Sequence, residues 1–108
     1  MSYKANPMIT EHTKQMIPKI REYMEAKPVA KAWIFGSCSR GEETADSDVD
    51  ILVAFVEGAR VSLFTMGGMY ADLKELLNRE IDLVEDGTLL PFAVESAERD
   101  KILIYERA

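Results

Sequence analysis

The chain has 108 residues, of which 47% are hydrophobic and 30% charged, with a formal net charge of −6. That length fits one domain around one core, and the acidic balance argues against a general nucleic-acid-binding surface, which would need a basic face. A single cysteine excludes an internal disulfide, and no run approaches the ~20 apolar residues that cross a membrane. The expectation is therefore one domain over residues 1–108, without a leader segment and at home in a reducing cytoplasm.

Residues 1–6 carry little pattern and are expected to be loose. From 7 to 27 the apolar positions Met8, Ile9, Met16, Ile17, Ile20, Tyr23 and Met24 fall at helical spacing. Pro18 interrupts them, because a proline inside a helix loses a hydrogen bond and crowds the preceding turn, so a kink or two short helices are expected. His12, the only histidine, has polar neighbours and reads as an exposed helical residue rather than an acid, base or ligand. Pro28 closes this segment, and the apolar, aromatic run 29–35 follows as a strand. Trp33 and Phe35 in it read as core, with stacking on a base as the alternative.

Gly36 and Ser37 stop that strand, and 37–40 begins a brief helix. Cys38 inside it has no following histidine to activate it and reads as packing. The acidic stretch 42–46 is a solvated loop, and Ser47 is placed to cap the turn that orients Asp48. A second strand over 48–56 has Val49, Ile51, Val53 and Phe55 on one face and Asp50, Leu52 and Ala54 on the other. Apolar residues on both faces imply a central strand, covered on two sides except at its Asp-bearing end.

A helix over 62–78 carries Leu63, Met66, Met69, Tyr70, Leu73, Leu76 and Leu77 as an apolar stripe, with Ser62 as N-cap and Asn78 as C-terminal stop. Gly67 and Gly68 weaken this helix or mark a close approach of backbones, and its methionine-rich packing extends either into the core or onto a partner surface. A strand at 81–85, a turn at Asp86 and Gly87, a helix over 89–99 with Pro91 in its first turn, and a last strand at 101–106 complete the chain. Tyr105 in that strand is read as packing or a partner contact. The order gives an α/β (α+β) fold, a small mixed sheet of about four strands flanked by helices.

The chemistry concentrates between the first two strands. Asp48 and Asp50 are two residues apart, so both leave one face of their strand with their heads a few ångströms apart. Two such anions repel unless a cation sits between them, and oxygen donors without Cys or His suit magnesium or manganese better than zinc. Magnesium shares its coordination with substrate phosphates, so a phosphate-binding turn belongs nearby, and Gly36-Ser37 is the candidate. Arg40 either offsets phosphate charge or pairs with Glu42 or Glu43. Asp82, alternating with Ile81 and Leu83, either faces solvent or adds a third acid.

Gly36-Ser37, Arg40-Gly41 and Ser47-Asp48-Val49-Asp50, with Asp82 in Glu80-Ile81-Asp82-Leu83-Val84, resemble the signature of the polymerase-beta-like nucleotidyltransferase superfamily across residues 30–84. The short length points to its minimal nucleotidyltransferase branch, the small partners of helical HEPN toxins. The resemblance implies that Asp48, Asp50 and Asp82 are catalytic and hold two magnesium ions, with manganese as a substitute. It implies that Gly36 and Ser37 hold the β and γ phosphates of ATP, with Arg40 and Ser47 completing the nucleotide site. The implied reaction is AMP transfer to a tyrosine hydroxyl of a HEPN toxin, the chain acting as antitoxin. Larger relatives carry extra substrate-binding regions, and a core of this size leaves the acceptor to bring its own surface, which favours a protein acceptor. Two alternatives stay open: a non-catalytic antitoxin that blocks its partner by complex formation, and transfer to a small molecule of the antibiotic type, which would need a second subunit. Base preference and homo-oligomer formation have no signature in the sequence.

Overall fold

The computed structural model describes residues 9–42, 44, 46–88 and 91–108; expectations that touch residues 1–8, Glu43, Ala45, Leu89 and Leu90 lie outside the described residues. The elements follow the expected order: α1 (Glu11–Glu25), β1 (Val29–Phe35), α2 (Ser37–Arg40), β2 (Val49–Phe55), α3 (Leu63–Leu77), β3 (Ile81–Glu85), α4 (Pro91–Asp100) and β4 (Ile102–Glu106). The α/β expectation is met by one mixed sheet of four strands in the order β3-β2-β1-β4. β1 runs antiparallel to both β2 and β4, whereas β2 and β3 are parallel and joined by the α3 crossover.

One face of the sheet is the core. Ala32 and Ile34 of β1, Val49, Ile51 and Val53 of β2, Ile81 of β3 and Ile104 of β4 are buried there against Met16, Ile17, Ile20 and Met24 of α1 and Met69, Leu73 and Leu77 of α3. β2, flanked on both sides, also buries Leu52 from the opposite face, as its unbroken apolar run requires. Tyr105 and Cys38 are buried, which bears out packing for both, while Trp33 is half-buried with the Lys101 ammonium 4.6 Å from its ring centre.

α1 starts at Thr10, whose hydroxyl accepts the Thr13 N–H at 3.1 Å. It then runs through Pro18 as one helix, so the two-helix expectation is corrected. Pro18 lies on the exposed face, where the carbonyl left without its helical donor can be satisfied by water.

α3 corrects a second expectation. Ser62 caps it through a reciprocal pair with Thr65, and Asn78 ends it in the left-handed conformation, both as its residue types suggest. Its buried stripe, however, is narrower than the run of apolar residues: Leu63 is 90% exposed, and Tyr70 and Leu76 are exposed as well. Neither do Gly67 and Gly68 mark a close approach, since a methyl built on either would meet nothing within 4 Å.

Candidate active site

Three chain segments meet at one end of the sheet. β1 leaves it at Phe35, β2 enters beside it, and β3 enters alongside β2 in parallel, so Phe35 pairs with Asp50 and Asp50 pairs with Asp82. Neighbouring strands lie about 4.8 Å apart, and paired residues point to the same face. Asp82 alternates with the core-facing Ile81 and Leu83, so it stands with Asp50 on the face away from α1 and α3. Asp48, two residues before Asp50, precedes β2 and is exposed, as is Asp82; Asp50 is half-buried.

Gly36 explains why Asp50 fits. Its backbone sits at φ +69° and ψ −146°, a conformation that a side chain strongly disfavours, and a Cβ there would overlap Asp50 Oδ2 and lie 3.1 Å from its Cγ. The Gly36 carbonyl accepts the Ser39 hydroxyl at 2.8 Å, and Gly41, at φ +73°, returns its N–H to the Ser37 carbonyl. Ser37 and Arg40 thereby stand at the two ends of one tight turn above the acids. Arg40 Nε meets Glu42 at 2.8 Å and its Nη1 meets Asp100 at 2.9 Å, so the surface pairing with Glu42 is realised.

The electrostatics of Asp50 record this crowding. Burial, then the negative charges of Asp82 and Asp48, push its carboxyl up to about 6, and Arg40 opposes them. Asp50 therefore lies within electrostatic reach of both Asp82 and Asp48. Among the described residues no three such side chains are gathered closely enough to hold an ion as they stand. Their donor set, carboxylate oxygen alone, fits a hard divalent cation, which would relieve the repulsion.

Ser47 closes the turn before Asp48: its hydroxyl accepts the Thr44 N–H at 2.9 Å, and its own N–H donates to the Thr44 carbonyl at 3.1 Å. Sequence reasoning missed Arg79, which reaches this turn from the α3–β3 connection. Its one local signal is a cation three residues ahead of Asp82, too common a spacing to single it out.

The structure thus sets acids at the start of two adjacent parallel strands of a mixed sheet, beside a Gly-Ser turn. The chain belongs to the nucleotidyltransferase domain family, whose model matches residues 17–104. Among curated proteins it is similar to a Methanocaldococcus jannaschii protein named "Putative protein adenylyltransferase MJ0435", at 34% identity over 88% of this chain and 90% of that one. A solved structure described as a "putative minimal nucleotidyltransferase" superposes with a TM-score of 0.71 at 30% identity, covering 91% of this chain and 98% of the other. A chain in the complex of tri-AMPylated Shewanella oneidensis HEPN toxin with MNT antitoxin shares the fold, with a TM-score of 0.67 at 15% identity over 88% of this chain and 73% of that one.

Proposed function

We propose that this nucleotidyltransferase uses magnesium to move AMP from ATP to a hydroxyl of a partner protein, and that the partner is a HEPN-type toxin, which the transfer silences in the cytoplasm. The observation that carries the reading is the pairing of Asp50 with Asp82 on adjacent parallel strands, with the Asp50 carboxylate lying where a side chain on Gly36 would otherwise go. A half-buried Asp50 with the charges of Asp82 and Asp48 nearby costs folding energy and serves no packing purpose. Curated relatives at 34% and 37% identity named as protein adenylyltransferases support AMP and a protein acceptor, and the tri-AMPylated HEPN complex supports the partner class.

In this reading Asp48, Asp50 and Asp82 hold the divalent ions, and Gly36 and Ser37 face the β and γ phosphates, with Arg40 and Ser47 at the margins of the nucleotide site. The ions supply charge neutralisation at the phosphates and at the attacking oxygen. Asp82, on the outer strand, takes the proton of the acceptor hydroxyl. The hydroxyl oxygen forms a bond to the α-phosphorus, the α–β anhydride bond breaks, and pyrophosphate leaves with the electron pair. Positioning and charge compensation carry the catalysis, as in other phosphoryl transfers.

The test is incubation of the chain with ATP labelled at the α-phosphate, magnesium and a HEPN-type toxin. Label is expected on a tyrosine of the toxin and is expected to vanish for Asp48→Asn and Asp82→Asn. Silencing of the toxin that survives both changes, with no label transferred, would replace this reading by a stoichiometric block.

A further inference from the structure

Arg79 stands apart from the acids and yet is wired to them. Its Nη2 donates to the carbonyls of Thr44, at 2.8 Å, and Ser47, at 2.5 Å, and its Nη1 meets His12 Nδ1 at 3.0 Å. Those carbonyls bracket the turn that delivers Asp48. One residue further along, the Glu80 carbonyl accepts the Val49 N–H at 2.9 Å, fixing the chain just past Asp48. The segment Arg79-Glu80 therefore grips the Asp48 turn on both sides, and Asp82 follows two residues later on the same strand.

We propose that Arg79 is a positioning residue that clamps the 44–47 turn to the head of β3 and so sets the spacing between Asp48 and Asp82; this rests on the reading of those acids as the metal-holding groups. Asp48 is exposed and lies outside β2, so strand pairing and core packing do little to aim it. The turn also carries the acidic Asp46, whose charge works against closing it onto neighbouring carboxylates. A guanidinium suits this role because its planar fork addresses two carbonyls at once and still offers a donor to a third group, whereas a lysine ammonium is a single point on a flexible stem. Bonded to the Arg79 Nη1–H, His12 accepts at Nδ1, which places its own proton on Nε2. The sole histidine thus braces the clamp from α1.

The experiment measures manganese affinity by calorimetry on the full chain, the kcat and KM of AMP transfer, and amide exchange at residues 46–48. Arg79→Lys and Arg79→Ala are expected to weaken manganese binding about tenfold or more, the scale of lost second-layer contacts, to lower kcat with acceptor KM little changed, and to speed exchange at 46–48. Arg107→Ala is the control: Arg107 grips the carbonyls of Val29 and Lys27 at the far end of the sheet, so its loss is expected to lower thermal stability without touching manganese affinity. A folded Arg79→Lys that binds manganese as tightly as the parent, while Asp50→Asn does not bind, would overturn the clamp and leave the metal reading standing. Equal manganese binding by the parent and Asp50→Asn would overturn the metal reading, and the clamp with it.

Discussion

Asp50 occupies a place where folding favours the uncharged acid. Its carboxyl is pushed up to about 6 from an ordinary 3.8, by burial first and by Asp82 and Asp48 after it. A raised folded-state value means that the folded chain holds this proton more tightly than the unfolded chain does. The stabilisation is complete below about pH 4 and is lost as pH rises through about 6. Asp50→Asn removes the ionisation, so in EDTA its melting temperature is expected to exceed the parent's by a few degrees at pH 7 to 8. The two are expected to converge near pH 4, and the gain is modest because water screens a half-exposed carboxylate. Melts at both pH values check this, and a variant less stable than the parent at pH 8 would count against it. The same substitution is expected to abolish transfer, a trade of stability against function.

At the scale of elements, α3 is the one built below its capacity. Gly67 and Gly68 have ordinary helical backbone and open space where a Cβ would go. Gly67→Ala and Gly68→Ala are each expected to add about 1 kcal/mol, seen as a higher urea midpoint at unchanged slope. A fall in the midpoint would mean that the helix needs the backbone freedom of these glycines.

The strands were legible because alternation and continuous apolar runs are local signals: Val49 to Val53 announces a covered central strand, and the caps Ser62 and Asn78 announce where α3 begins and ends. The positions of Asp50 and Asp82 at strand starts were legible for the same reason, whereas Asp82 as a third acid came only with the family resemblance. The two-helix reading at Pro18 failed because a proline's cost depends on which side of the helix it faces, and Leu63 was misread because periodicity ranks faces without saying how far a sheet extends beneath them. Arg79 was invisible because its contacts span 32 and 35 residues, and a cation's backbone partners leave no mark on composition.

Across the whole molecule, the proposed ion site would couple metal, proton and fold. A ligand that binds only the folded chain stabilises it by mass action, about 2.7 kcal/mol when present at a hundred times its dissociation constant. Holding a divalent ion requires Asp50 to give up its proton, so the rise in melting temperature on adding magnesium is expected to grow from pH 5 to pH 7.5. Identical melts in magnesium and in EDTA at pH 7.5 would contradict the proposed ion site.

β3 is an outermost strand, and Asp48 and Asp82 both stand open to water beside it. Phosphoryl chemistry gains from a dry enclosure, and two acids open to water among the described residues do not supply it. On the proposed reaction, the incoming toxin is therefore the cover as well as the nucleophile's carrier. Recognition and chemistry then become a single event, because only a partner shaped to roof the acids also brings its tyrosine within reach of them.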